Sequence, residues 1–268
     1  ALDTVKMVAK ALDKTIFTFP TICSNCSAGT AIAVLYKDDG SFDKYGYPDV
    51  PAHVFINTSV IAKAPKEYFW AGVGDGISKA PEVEHAVAAA VERGVELPHT
   101  AVLGAAIAAS SKDAFYKYGE QGIKDVENGT VSKAIEEVAL DIVVSTGYAS
   151  NLVNQDDFYY NSCHAHAFYN ATTAIKKEKE PLHGQVVSFG VMVLHAYFNE
   201  LEELKKVAVF NKKLGLPVTL EEIGLKVSDA EKITELAMQT NEYKQTPFDK
   251  EKYIEAIKLA DKMGSENA

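Results

Sequence analysis

The sequence predicts a two-part α and β fold, in which a short mixed segment precedes a longer all-helical one. Short β-branched and aromatic runs, bounded by proline, glycine or aspartate, concentrate before residue 65. Beyond that point, stretches with apolar residues at helical spacing follow one another. Neither an internal repeat nor a low-complexity linker separates the two parts. We therefore place a packed boundary between 1–64 and 65–268 and expect a functional site in the cleft there.

The first part contains a predicted helix, a strand, a hairpin and another strand. Apolar residues recur at helical spacing at its start: Leu2, Val5, Val8 and Leu12. The run Thr15–Pro20 is β-branched and aromatic and ends in proline, which predicts a buried strand. Two strand-like runs flank the sequence Lys-Asp-Asp-Gly at 37–40 and predict a hairpin, and His53–Asn57 predicts the next strand. This order fits one half of a nucleotide-binding sheet layer.

The second part is a series of predicted helices. Ala64-Pro65 places a proline at the start of the first one. Helical spacing then continues through four long stretches: 84–97, 100–119, 132–149 and 198–215. The last stretch ends at Gly215 and is followed by Pro217, a usual C-terminal signal. A final amphipathic helix covers Asp249–Lys262.

Composition excludes several classes of partner. With 27 lysines and arginines against 37 acids, the formal net charge is −10, which argues against nucleic-acid and anionic-membrane partners. No apolar run reaches the ~18 residues of a membrane helix, and the charged, amphipathic start is unlike a signal peptide. Three cysteines are too few for a disulfide framework, so we expect a reducing, cytoplasmic environment.

Three histidines are candidate metal ligands. His164 and His166 lie two residues apart on a predicted helix, so their side chains point roughly 200° apart and at most one faces a given site. His183 precedes a glycine and an apolar helix, where it could line a cavity, cap the helix or face solvent. Neither an HExxH motif nor paired CxxC motifs strengthen the metal interpretation.

Asp75 and the cysteine pair each allow two interpretations. Asp75 is flanked by glycines in GVGDG, where it could cap a helix start, coordinate a metal, or do both with different oxygens. Cys23 and Cys26 form a CxxC motif, which can be a redox pair. Because this motif follows a strand and precedes the hairpin, a loop that contacts a ligand through backbone and hydroxyl groups fits better.

Eight segments, taken together and in order, resemble the glycerol dehydrogenase branch of the metal-dependent, iron-type alcohol dehydrogenase and dehydroquinate synthase superfamily. They are ALDTVK, PTICSNCSAGTAIAVLY, KDDGSFDKY, INTSVIAKAPKEYFWAGVGDGISK, HAHAFYNATTAI, LHGQVVSFG, LGLPVTLEEI and TPFDKEKYIEAIKLADKMG. The resemblance spans essentially the whole chain. It implies the C-terminal part of a Rossmann-like α/β nucleotide-binding domain in 1–64, then an all-α, dehydroquinate synthase-like metal-binding domain in 65–268. We also expect a homo-oligomer.

The resemblance implies a metal site with three protein ligands, namely Asp75, His166 and His183. Zn²⁺ is the expected metal and Fe²⁺ the alternative. The spacing from the shared Thr173-Ala174-Ile175 selects His166 rather than His164. The iron branch carries a further histidine where this chain has Lys79, which favours the zinc-like branch. We expect no catalytic side chain beyond the ligands, because the metal would polarise the substrate oxygen during hydride transfer with NAD or NADP.

The resemblance also implies cofactor contacts. Residues after the first strand would line the adenine and ribose region: Thr21, Ile22, Cys23 and Ser24. Residues on one side of a hairpin strand would flank the cofactor: Thr30, Ile32, Val34 and Tyr36. Asp3 would end a GGGKxxD phosphate loop whose glycines would stand immediately before Ala1. Most of the first nucleotide-binding half would then precede this sequence.

One departure from the family pattern bears on the substrate. Cys26 is the expected substrate-binding residue, and it stands where glycerol dehydrogenases carry an aspartate that helps to hold a polyol. A cysteine here resembles the hydroxycarboxylate dehydrogenases, which reduce 2-oxo acids such as 2-oxobutanoate. The loss of a negative charge would suit a carboxylate substrate, because like charges repel.

Three functions follow as hypotheses. The first is a metal-dependent NAD(P)-linked oxidoreductase that acts on a small alcohol, polyol or 2-hydroxy acid, although we expect this chain by itself to hold only half of the cofactor site. The second is a non-catalytic helical metal-binding or scaffold protein. The third is a dehydroquinate synthase-type lyase, which would need lysines and arginines to hold a phosphate. Arg93 is the only arginine, so the third hypothesis has the least support.

Overall fold

The computed structural model describes residues 1–38, 40–155 and 158–266. Its first part comprises α1 (Leu2–Ala11), β1 (Phe17–Thr18), β2 (Ala33–Tyr36), β3 (Phe42–Gly46) and β4 (His53–Val54). The predicted order of a helix, a strand, a hairpin and a strand is therefore confirmed. Apart from one isolated bridge between Asn154 and Tyr159, every described strand precedes residue 58.

The regular elements of the described chain after β4 are helical, apart from the isolated bridge. They are α2 (Thr58–Ile61), α3 (Lys66–Gly76), α4 (Lys79–Glu92), α5 (His99–Glu127), α6 (Lys133–Leu140), α7 (Thr146–Val153), α8 (His164–Thr172), α9 (His183–Tyr197), α10 (Leu201–Leu214), α11 (Ala230–Ala237), α12 (Asn241–Gln245) and α13 (Lys250–Glu266). Short 3₁₀ turns cover Glu221–Ile223 and Val227–Asp229. The predicted stretch 132–149 is divided by a π-helical turn at Asp141–Ser145, which inserts an extra residue into the helical repeat.

The strands form two small sheets. β1 pairs with β4 in parallel, with Phe17 opposite His53. β2 and β3 form the predicted antiparallel hairpin, with an irregular register between Leu35 and Tyr36. Asp39, in the predicted hairpin turn, lies outside the described residues. Parallel β1 and β4 agree with a sheet of the nucleotide-binding type, whose neighbouring strands are joined by long crossovers.

The prediction of a buried strand at Thr15–Pro20 is wrong for three of its side chains, those of Thr15, Phe17 and Phe19. Thr18 is buried, but Phe17 is 51% exposed and Phe19 is 65% exposed. Phe19 stacks instead on Phe55, with ring centroids 4.7 Å apart. A strand alternates its side chains between two faces, and no element of the described residues covers the face that carries these phenylalanines.

Helix α9 lies at the centre of the helical part. From Gly184 to Tyr197 nearly every residue is buried, which is typical of a helix surrounded by others. It packs against α3, α8, α10 and α13, and the main hydrophobic core surrounds it. A smaller core lies between α4, α5 and α7. Among the described residues, no helix combines the length and the apolar character that a bilayer crossing needs.

Two glycines allow α9 to approach its neighbours closely. A Cβ at Gly184 would lie 1.7 Å from the carbonyl oxygen of Ala71 on α3. A Cβ at Gly190 would lie 2.6 Å from the carbonyl oxygen of Ala165 on α8. Any side chain at these positions would push the helices apart, since real Cβ atoms do not come so near. The close packing brings the ends of α3, α8 and α9 to one place.

Candidate metal centre

Three predicted ligands come together where these helices meet. Asp75 is the penultimate residue of α3, His166 is the third residue of α8, and His183 opens α9. Asp75 Oδ1 lies 3.0 Å from His183 Nε2 and 3.7 Å from His166 Nε2, and the three ligand atoms lie within 4.8 Å of one another. Ligand atoms around one tetrahedral Zn²⁺ lie ~3.4 Å apart, so the cluster has the size that such an ion requires.

The electrostatics of the cluster also suit a cation. Burial alone would raise the pKa of Asp75, but the neighbouring His183, His166 and Lys79 hold it below its ordinary value. Asp75 therefore stays ionised although its side chain is almost fully buried. The His183 side chain is 27% exposed, which leaves one side of the cluster accessible from the cleft.

Glu82 fixes the orientation of His166. Its carboxylate is fully buried and accepts the backbone N–H groups of Cys163 and His166 at 2.8 and 2.9 Å. Its other oxygen accepts a hydrogen bond from His166 Nδ1, which turns Nε2 towards Asp75. Burial alone would lower the pKa of His166, but Glu82 and Asp75 raise it above its ordinary value. Nε2 thus lies where a positive charge, whether a proton or a metal ion, is stabilised.

Glu82 is not among the residues predicted from the sequence, although its spacing carries a signal. The backbone remains right-handed helical through Ile77 and Ser78, between α3 and α4. Asp75, Lys79 and Glu82 therefore follow one another at i, i+4 and i+7, the spacing of a single helical face. A buried acid two turns after a candidate ligand is a reasonable partner for a ligating histidine.

His164 lies in a different environment from His166. It is buried among four aromatic rings, those of Tyr197, Phe198, Phe248 and Tyr253. Neither of its ring nitrogens has a hydrogen-bond partner within the described part of the chain. Burial, and secondly the nearby His85, lower the pKa of His164 to about 3. Its imidazole is therefore neutral and belongs to the hydrophobic core.

The cluster lines a cleft between the first part and the helices, where the sequence predicted a site. The first part contributes five of the expected residues: Asp3, Cys26, Thr30, Ile32 and Val34. The helical part contributes further polar groups: Lys79, Thr146, Ser150, Tyr159 and Asn161. The Tyr169 ring meets the His183 ring edge to face, with centroids 4.2 Å apart.

The remaining expected cofactor residues divide into two groups. Thr21, Ile22 and Ser24 line an adjoining cavity that also reaches Asp3. Cys23 is buried, with its Sγ 4.0 Å from the carbonyl oxygen of Ala139, so its side chain belongs to the core. The hydroxyl of Tyr36 lies 3.3 Å from the hydroxyl of Tyr169, outside both cavities.

Two of the first-part residues have structural partners. The Asp3 carboxylate accepts the backbone N–H of Val34 at 3.1 Å and pairs with the buried Lys6 at 3.0 Å, which joins α1 to β2. Cys23 and Cys26 are both free thiols, and burial raises the pKa of each. Redox cysteines need a lowered pKa, so this environment does not favour a redox pair.

Comparison with known proteins agrees with this architecture. No family model matches the chain. The chain is 30% identical to the glycerol dehydrogenase of Thermotoga maritima over 277 aligned positions, which cover 98% of the chain and 72% of that protein. It is 28% identical to hydroxycarboxylate dehydrogenase A of Escherichia coli, over 89% of the chain and 64% of that protein. The crystal structure of Schizosaccharomyces pombe glycerol dehydrogenase, 27% identical, superposes with a TM-score of 0.85 over 99% of this chain and 68% of that one.

The relatives and the shared fold place the chain in the iron-type class of alcohol dehydrogenases. Within that class, the chain belongs to the glycerol dehydrogenase family. It spans between 64% and 72% of the length of the two curated relatives named above.

Proposed function

We propose that this chain supplies the metal site and substrate cleft of an oxidoreductase that transfers a hydride between NAD or NADP and a small alcohol, polyol or 2-hydroxy acid. The convergence of Asp75, His166 and His183 on one cleft carries this proposal. The relatives named glycerol dehydrogenase and hydroxycarboxylate dehydrogenase support the reaction class. One carboxylate and two imidazoles suit Zn²⁺ and leave a position open, with Fe²⁺ as the alternative.

When bound, the metal supplies Lewis-acid polarisation of the substrate oxygen, and the nicotinamide gives or takes the hydride. The side chains prepare the site for this chemistry. Asp75 contributes a buried carboxylate whose lowered pKa keeps it ionised at neutral pH. Glu82 holds the Nδ1 proton of His166, so that the Nε2 lone pair faces the ion. Tyr169 packs against His183 and limits the orientations of its ring.

The adjoining cavity is the proposed place for the adenine and ribose end of the cofactor. Thr21, Ile22 and Ser24 line it, and Asp3 borders both this cavity and the cleft. Thr30, Ile32 and Val34 lie along the cleft between this region and the metal ligands. An extended dinucleotide could therefore reach from the adjoining cavity towards His183 without crossing the helical core.

A lyase of the dehydroquinate synthase type is not favoured. Such an enzyme needs several basic residues to hold a phosphate, whereas Lys79 is the single lysine or arginine among the described residues that line the cleft. Arg93 instead donates to the carbonyl oxygen of Gln245 at 2.6 Å and lies over the ring of Phe158.

The test combines metal analysis with NAD(P)H-linked turnover of glycerol and 2-hydroxy acids, using protein expressed from its complete coding sequence. We expect stoichiometric zinc and oxidation of one substrate class. Replacing Asp75 or His183 by alanine should abolish both, while the core substitution His164→Phe should preserve both. Metal binding without NAD(P)H binding, measured by fluorescence titration, would instead support the scaffold hypothesis. A protein that binds no divalent metal would contradict the proposal.

A further inference from the structure

We propose that Lys79 is the carboxylate-binding group of the cleft, and that the substrate is therefore a small 2-oxo or 2-hydroxy acid rather than a neutral polyol. This inference rests on the proposed function and specifies its substrate class. It depends on the burial and bonding of Lys79, on the charge balance of the cleft, and on an unpartnered hydroxyl that lines the same cleft.

Lys79 is a buried cation with few partners. It opens α4, one helical turn beyond Asp75, and is only 4% exposed. Its ammonium donates to the backbone oxygen of Asn161 at 2.9 Å and to the Asn161 Oδ1 at 2.7 Å. An ammonium has three N–H donors, and in the described part of the chain no carboxylate lies within ion-pair distance of this one. Because a buried charge is costly without a counter-charge, the free donor marks a place for an anion.

The charge balance of the cleft points the same way. Two buried carboxylates lie at the metal cluster, Asp75 and Glu82, and a divalent ion would compensate both. Asp3 already has a partner in Lys6. The buried Glu242 accepts hydrogen bonds from Tyr45 at 2.7 Å and from Ser162 at 3.0 Å rather than from Lys79. Among the described residues, the Lys79 ammonium therefore has hydrogen bonds only to Asn161 and no carboxylate within ion-pair distance, so a bound monoanion would be its first direct counter-charge.

Thr146 provides a second, independent observation. It is 2% exposed and lines the same cleft, yet its Oγ1 has no hydrogen-bond partner among the described residues. It directly follows the π-helical turn at Asp141–Ser145. Cys26, which lines the same cleft, stays an uncharged thiol because burial raises its pKa. A carboxylate can accept from both an ammonium and a hydroxyl, whereas a polyol hydroxyl cannot neutralise the ammonium.

The matched ligands for the test are 2-oxobutanoate and 1-hydroxybutan-2-one. They share a carbon chain and a ketone, and differ in a carboxylate against a hydroxymethyl group. Binding to the zinc-loaded protein is measured by calorimetry, so the readout does not require turnover. Lys79→Met should weaken 2-oxobutanoate binding roughly ten- to a hundredfold, as expected for loss of a charged hydrogen bond. The same change should alter binding of the neutral ketone by less than about twofold.

Two further variants separate recognition from structural support. Asn161→Asp keeps Lys79 and its contacts but gives the ammonium a permanent counter-charge. It should therefore weaken the binding of 2-oxobutanoate more than that of 1-hydroxybutan-2-one. Lys79→Arg keeps the charge and should retain a preference for the acid. Equal losses for both ligands in Lys79→Met and Asn161→Asp would show that Lys79 only joins α4 to the Asn161 segment, and would overturn the inference. So would a wild-type protein that does not bind 2-oxobutanoate.

Turnover assays distinguish failure of this inference from failure of the proposed function. If the protein reduces 1-hydroxybutan-2-one but does not bind 2-oxobutanoate selectively, the proposed oxidoreductase function stands and the proposed carboxylate-binding role of Lys79 is wrong. If the protein binds 2-oxobutanoate in a Lys79-dependent way but shows no turnover with NAD or NADP, the carboxylate-binding role stands and the proposed oxidoreductase function is wrong.

Discussion

The two sides of α8 place identical side chains in opposite environments. His166 faces Asp75, Glu82 and His183, and its acidic neighbours raise its pKa. His164, two residues earlier, is enclosed by aromatic rings that leave both nitrogens without partners and lower its pKa to about 3. The helical repeat separates the two rings by roughly 200°. What a histidine can do is therefore decided by the helices packed against each face, and four experiments can test this contrast.

The largest expected effect is on metal affinity. His166→Ala removes one of the ligand atoms, and it should lower zinc affinity more than a hundredfold, beyond the usual loss for an outer-shell partner. His164→Phe fills the aromatic cage with another ring and should leave zinc affinity unchanged. Competition with a chromogenic chelator measures both. If zinc were retained in His166→Ala and lost in His164→Phe, the assignment of the two faces would be reversed.

A smaller loss should follow from changing the partner of His166. Glu82→Gln keeps the shape of the side chain but removes the charge that holds the Nδ1 proton, and it should lower zinc affinity roughly ten- to a hundredfold. Glu84, which is exposed on the same helix, provides the matched control Glu84→Gln. Indistinguishable zinc affinities in the two variants would show that Glu82 does not support His166 as a metal ligand.

The arrangement of residues around His166 should also depend on how closely α9 approaches α3. Gly184→Ala introduces a methyl group against the carbonyl of Ala71 and should lower the free energy of unfolding by ~1–3 kcal/mol, a usual range for overpacking. Gly147→Ala is the control, because its Cβ would meet nothing closer than 3.7 Å. Urea unfolding of both variants measures the difference. Equal stability would mean that the backbones separate without cost.

The buried position of His164 on the other side of α8 leads us to expect that the free energy of unfolding falls as the pH is lowered. The folded-state pKa of His164 is lowered to about 3 from an ordinary 6.5, so the unfolded chain binds a proton more readily between these values. Stability is therefore lost as pH falls below 6.5, by ~2 kcal/mol at pH 5 from this residue. His164→Phe should remove that part of the acid sensitivity, whereas replacement of the exposed His99 by glutamine should not. An unchanged difference in unfolding free energy between pH 7 and pH 5 in His164→Phe would contradict the argument.

Much of the architecture was accessible from local patterns. Helical spacing predicted the long helices, and the β-branched runs predicted β2 and β3 on either side of a turn. The exposure of Phe17 and Phe19 was not predicted, because a β-branched and aromatic composition indicates a strand but does not reveal what packs over each of its faces. The π-helical turn after Leu140 also has no signal in the spacing of apolar residues, although Thr146, which lines the cleft, directly follows it.

The sequence by itself determined the order of the elements, the helical character of the second part and, through its ordered motifs, the expectation that Asp75, His166 and His183 form one site. Tertiary structure alone decided which groups support that site. Glu82 lies 84 positions from His166 along the chain, and Lys79 lies 82 positions from Asn161. Hydrogen bonds and charges act over a few ångströms, so such pairs become visible only when packing of α9 against α3 and α8 has closed the distance.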